Sequence, residues 1–213
     1  MLSFAEEIYL LALDDISGKI TTYSEEYSLG YALVAAIICE LSFLNRIDTD
    51  LNYLYILDKR DTDNEVLDSI LNVLSKSDTD KSISYWLKTL LPNAEDTENL
   101  ILNQLIKKGI LKRVDERIFW VFHTRRYPII NNEEIKNVEV RLRELIFDED
   151  MIHTPRDAAL VSLVQACDLF KVILSKREQQ RSETRINNLA KLDTVGRAVV
   201  NMIKKISTTG TKY

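Results

Sequence analysis

Glycine and proline are scarce in this chain, 5 and 3 of 213 residues, which excludes collagen-like and linker-rich, low-complexity organisation. Cysteine is scarcer still. Cys39 and Cys167 both lie in apolar helical stretches, so free buried thiols are expected in preference to a disulfide or a metal pair. The 2 histidines, His123 and His153, lack the spacing of a zinc motif. No GxSxG, P-loop or GxGxxG string occurs, and 5 glycines leave little material for a phosphate-cradling loop. No metal, cofactor or enzymatic activity is therefore expected. Long hydrophobic runs are missing too: the longest uncharged apolar stretch, Leu29 to Cys39, is about half the roughly 20 residues that span a bilayer. No basic start followed by an apolar core marks a signal peptide, and a cytoplasmic location is expected.

What is present is a globular composition, 46% hydrophobic and 29% charged, long enough for one domain with a sizeable core. The formal net charge of −5 conceals two unlike parts. Residues 171 to 213 hold ten Lys or Arg against three acids, so the preceding 170 residues carry the acidity. Such a basic pole attracts the phosphates of lipid or nucleic acid, while the acidic remainder repels a long polyanion.

The periodicity predicts a mainly α-helical chain. Ser3 and Glu6 form a capping box ahead of Phe4, Ile8, Leu11 and Ala12, with Gly18 as the stop. The run from Ser28 to Leu44 is apolar nearly all round, as in a helix surrounded by others. Leu51, Tyr53, Tyr55 and Leu57 alternate as a short strand; Val66 to Leu74 and Ile83 to Leu91 read as amphipathic helices, the second terminated by Pro92. Thr97 is expected to cap the next helix, which Gly109 ends. A hairpin follows, with Asp115 and Glu116 at its turn, giving a winged-helix-like order of elements. Asn131 or Asn132 can cap the helix after it, and Thr154, Pro155 and Asp157 start a second nearly all-apolar core helix through Phe170. Two more helices are expected, one supported by Ile186 and Leu189, the other by Val195, Val199, Met202 and Ile206, before a flexible tail at 208–213. No linker or repeat interrupts the chain, so residues 1–213 read as one domain.

Glu6 with Glu7, and Asp14 with Asp15, are adjacent carboxylates. Neighbours on a helix point in different directions, and Glu6 completes a cap, so a catalytic pair is not expected. Arg113, Arg117, Arg125 and Arg126 gather around the hairpin, but the overall acidity weighs against nucleic acid. Arg156, at a helix N-terminus, is placed to help hold a phosphate.

The strings LSFAEEIYLLALDDISGKI, LGYALVAAIICELSFLNRI, LIKKGIL with the following RYP, and PRDAALVSLVQACDLF occur in this order. Together they resemble the Golgi phosphoprotein 3 family, especially its compact bacterial members. The resemblance implies a single helical domain with a four-helix core, one or two short hairpins, and a peripheral, non-enzymatic adaptor that binds phosphatidylinositol 4-phosphate. It places Tyr23 and Arg156 at the lipid pocket. Ala32 or Val34, Ile152 and Pro155 stand where the family has basic residues, which removes bidentate guanidinium contacts to phosphate. It also implies a hairpin for oligomerisation and membrane contact, equivalent here to about Lys171 to Arg181, whose Lys171, Lys176, Arg177 and Arg181 suit an anionic surface. The expected partners are an anionic head group, a membrane surface and further copies of the chain. The rival reading is a protein interaction scaffold of the same fold that has lost the lipid site.

Overall fold

The structure is a computed structural model that describes residues 2–14, 17–20, 28–50, 53–118, 122–148, 150, 151, 153–193 and 195. Its first helix, α1 (Phe4–Ala12), opens with the expected capping box between Ser3 and Glu6, and every one of its residues is buried. Past Leu13 the chain turns at Gly18, whose φ of +61° suits glycine. A Cβ there would lie 2.6 Å from the Pro128 nitrogen, and the Gly18 carbonyl accepts the Tyr127 N–H at 3.2 Å. Any other residue would force these two segments apart.

Helix α2 (Ser28–Phe43) is apolar on all sides because other helices enclose it. It packs against α1 and against α3 (Glu65–Leu74), α5 (Ala94–Lys107) and α7 (Pro155–Ala166). Helices α1, α2, α5 and α7 make the expected four-helix core, and the buried apolar cluster around it runs from Leu2 to Val195. Between α2 and α3, β1 (Ile47–Thr49) pairs antiparallel with β2 (Leu54–Ile56). The expected strand is present but shorter, and its partner is the stretch that immediately follows α2.

Helix α4 (Ile83–Leu90) is amphipathic as expected. It ends at Leu90, just ahead of Pro92 as expected, and the chain continues through one turn of 3-10 helix, Leu91–Asn93, into α5. Proline is tolerated there since a first-turn N–H has no helical acceptor to lose. Thr97 is consequently inside α5 and is no cap: it is buried, and its hydroxyl donates to the Asn93 carbonyl at 3.1 Å.

The second hairpin, β3 (Val114–Ile118) with β4 (Phe122–Arg126), follows α5 in the winged-helix-like order. Asp115 and Glu116 lie within β3, opposite Arg125 and Thr124, so they do not form the turn expected of them. Asn131 Oδ1 accepts the Glu133 N–H at the start of α6 (Glu133–Phe147). Helix α7 begins with a Thr154–Asp157 capping box and Pro155 in its first turn, as expected. A short α8 (Phe170–Ile173) and then α9 (Lys176–Ala190) complete the described helices. The helix expected beyond Val195, the tail at 208–213, Tyr23 and Ile152 lie outside the described residues.

Candidate functional site

The charged residues singled out in the sequence fall into two regions. In the first, α1, α2, α6 and α7 converge. Glu6 and Glu7 are 1% and 2% exposed, and burying a carboxylate requires a partner. Each has its own. Lys108 Nζ lies 2.6 Å from Glu6 Oε1, while one Arg141 terminal nitrogen donates to both Glu7 oxygens at 3.0 Å. Burial nevertheless pushes the Glu7 carboxyl above its ordinary pKa, outweighing the lowering by Arg141. The two acids face different cations on different elements, and no shared catalytic geometry results.

Arg156 belongs to the same region. Its terminal nitrogens donate to Glu40 Oε1 at 3.0 Å and to the Leu2 carbonyl at 3.1 Å, and its guanidinium lies 4.0 Å from the centroid of the Phe4 ring. Glu40 also accepts the Phe4 N–H at 2.9 Å. The arginine therefore ties the starts of α1 and α7 to the end of α2. Ala32 and Val34 are fully buried near the other end of α2; Ala32 is about 12 Å along the helix axis from Glu40 at 1.5 Å per residue. Pro155 is exposed at the first position of α7. The residues that the resemblance places around one head group are thus not assembled among those described.

Cys39 and Cys167 are buried here and in α7's final turn, and burial pushes both thiols up, which keeps them protonated and unreactive. Ser162, inside α7, donates to the Ala159 carbonyl at 2.8 Å and to Asp193 at 2.9 Å. Beside Pro155 a cavity of about 380 Å³ opens between Ser42, Phe43, His153 and Asp193.

The second region lies between α6 and α9. The stretch from Lys171 to Arg181 holds the end of α8, an extended break at Leu174 and Ser175, and the start of α9, which corrects the expected hairpin. Ser175 and Glu178 form a capping box that starts α9, and such a box favours a helix over a strand turn. Lys171 pairs with Asp168 at 2.8 Å, and Val172 beside it is 42% exposed. Lys176, Arg177 and Arg181 are exposed. Their side chains have no ion-pair or hydrogen-bond partner among the described residues. Arg177 and Arg181 stand one turn apart and line a groove of about 460 Å³ with Arg143, Phe147 and Glu178. A shallower hollow with Glu144 and Asp148 on its rim shares Arg143, Phe147 and Arg181.

Arg143 is the residue that sequence reasoning missed. One of its terminal nitrogens donates to the Ile173 carbonyl at 3.3 Å, the other to Glu178, and its guanidinium lies 5.5 Å from the Phe147 ring centroid. Its hydrogen bond, with those of Ser175, holds the Glu178 carboxyl down at about 2. Arg185 closes the end of α6 by donating to the Leu145 and Asp148 carbonyls, both at 3.0 Å. No linear pattern links Arg143 to Arg177, because folding alone brings α6 against α9.

The chain is thus a helical domain with buried acid–base pairs where α1, α2, α6 and α7 meet and an arginine-lined groove between α6 and α9. The Golgi phosphoprotein 3 (GPP34) family matches residues 4–206, and the chain belongs to that family. A comparison with curated proteins finds no match. No described helix is long and apolar enough to cross a membrane.

Proposed function

We propose that the protein is a non-enzymatic, peripheral membrane adaptor that binds the anionic head group of a phospholipid, phosphatidylinositol 4-phosphate among them. The observation that carries the reading is the groove between α6 and α9, where Arg177 and Arg181 stand beside Arg143 without partners among the described residues. Unpaired guanidiniums one turn apart can each offer paired donors to phosphate oxygens. Lys176 lies at the start of the same helix and Val172 at an exposed position just before it, so cations and an apolar edge share one end of the molecule. Family membership supports a membrane role. A cytoplasmic location and assembly with further copies of the chain belong to the same reading.

Arg156 has the weaker claim to the head group, because a phosphate there would have to displace Glu40 from an existing pair. That internal pairing is what favours the second reading, a scaffold of the same fold without lipid binding.

Flotation separates the two readings. Purified protein is mixed with neutral vesicles, vesicles containing phosphatidylserine, and vesicles containing phosphatidylinositol 4-phosphate, at low and near-physiological salt. The lipid reading predicts recruitment to anionic vesicles that weakens with salt. Absence of recruitment at low salt establishes the scaffold.

A further inference from the structure

We infer that Glu178 is a built-in competitor for the groove between α6 and α9, its carboxylate holding Arg143 where the phosphate of a ligand would otherwise sit. The inference rests on the reading of that groove as the head-group site.

The geometry has the features of an exchangeable latch. The Arg143 and Glu178 side chains are 42% and 33% exposed, so the pair is open to solvent from the groove, and ion pairs of that exposure are weak. Arg143 keeps a second anchor: its bond to the Ile173 carbonyl, with the Phe147 ring beneath it, holds the guanidinium in place whether or not Glu178 is bound. Glu178 has a second occupation as well, since its other oxygen accepts the Ser175 N–H and hydroxyl, both at 2.8 Å. A phosphate can therefore take the Arg143 donors without leaving either the arginine or the glutamate adrift.

The charges around the groove say which anion does this. Three guanidiniums, Arg143, Arg177 and Arg181, face three carboxylates, Glu144, Asp148 and Glu178. Asp148 also accepts the Asp150 N–H at 3.0 Å. Against this near balance a singly charged phosphodiester gains little. A phosphomonoester, with a charge of roughly −1.5 to −2 at neutral pH, can displace Glu178 and meet three guanidiniums together. Exchange at Glu178 therefore favours the phosphomonoester head group already proposed for the groove over a phosphodiester one.

The test uses the full chain with Glu178→Gln, Arg143→Gln and the double variant. Glutamine at this position retains the capping box, so α9 is preserved, and thermal melting verifies it. Flotation is measured on neutral vesicles doped with phosphatidylinositol 4-phosphate, and on vesicles of matched charge doped with phosphatidylserine. Glu178→Gln is expected to bind the phosphoinositide vesicles about fivefold more tightly, the factor that one further cation contributes near an anionic surface. The gain is expected to be smaller on phosphatidylserine and to disappear when Arg143→Gln is also present. The inference is overturned if Glu178→Gln gives no gain, or if the gain persists without Arg143 and so reflects only the loss of a negative charge. A gain in binding inorganic phosphate without vesicle recruitment overturns the lipid as its carrier. Failure of the underlying reading has a different signature: Arg177→Glu with Arg181→Glu would then leave wild-type flotation unchanged.

Discussion

The cluster around Glu6, Glu7 and Arg156 and the groove between α6 and α9 use the same side chains to opposite ends. In the cluster each acid has a cation, the buried Glu6 with Lys108, the buried Glu7 with Arg141 and the partly buried Glu40 with Arg156, and the pairs join helices far apart in sequence. In the groove Arg177 and Arg181 have no partner among the described residues. Charge by itself therefore does not mark a binding site. Where an arginine is committed to a carboxylate inside the cluster, it holds the fold; where it has no partner among the described residues, it has donors left for a ligand.

The largest expected effect lies in the cluster. Replacing Arg141 with Ala leaves Glu7 buried without its cation and should lower stability by about 3 kcal/mol, the lower end for breaking a buried pair because Arg141 is itself partly exposed. Urea denaturation measures it, and a loss below about 1 kcal/mol would mean that water reaches Glu7. Reversing both Arg177 and Arg181 to Glu should do the converse. Stability should stay within about 0.5 kcal/mol of wild type, while flotation on anionic vesicles falls at least roughly tenfold. A large drop in melting temperature in that variant would place these arginines in the fold and erase the contrast.

A cap comes next in size. Ser175→Ala removes the acceptor for the Glu178 N–H at the start of α9 and should cost about 1 kcal/mol, readable as a shift in the urea midpoint. Helix α9 carries the proposed head-group residues, so vesicle binding should weaken along with its N-terminal turn; unchanged hydrogen exchange there would show that the cap is dispensable.

The smallest effect is a pH dependence of opposite sign in the two regions. Burial raises the Glu7 carboxyl above 4.5, so its contribution to stability is present below that value and is lost as pH rises through the folded pKa. Glu178 is held near 2, so its contribution is present above the ordinary carboxylate range and is lost as pH falls toward about 2. Glu7→Gln should flatten the neutral side of a stability–pH curve, and Glu178→Gln the acid side. Curves that change on the same side would contradict the assignment.

Local signals account for most of the fold that could be read from sequence. The Ser3–Glu6 and Thr154–Asp157 boxes, the largely apolar α2 and α7, and the helix–hairpin order after α5 each announce themselves within a few residues. Errors came where two local signals compete. Asp115 and Glu116 suit a turn by composition, yet strand pairing places them opposite Arg125 and Thr124. Lys176, Arg177 and Arg181 were legible as a basic run. Arg143 was not, because it is 34 residues from Arg177 and joins it only through the contact of α6 with α9. The partners of Arg156 were hidden for the same reason, since Glu40 and Leu2 are distant in sequence.

The measurement that tests the account most directly is flotation on phosphatidylinositol 4-phosphate vesicles of three proteins side by side: wild type, Arg156→Gln, and Arg177→Gln with Arg181→Gln. The account predicts that wild type binds, that Arg156→Gln loses stability but keeps binding when folded, and that the double variant stays folded and loses binding. Loss of binding in folded Arg156→Gln, with binding retained in the double variant, would contradict it and move the head group to the start of α7.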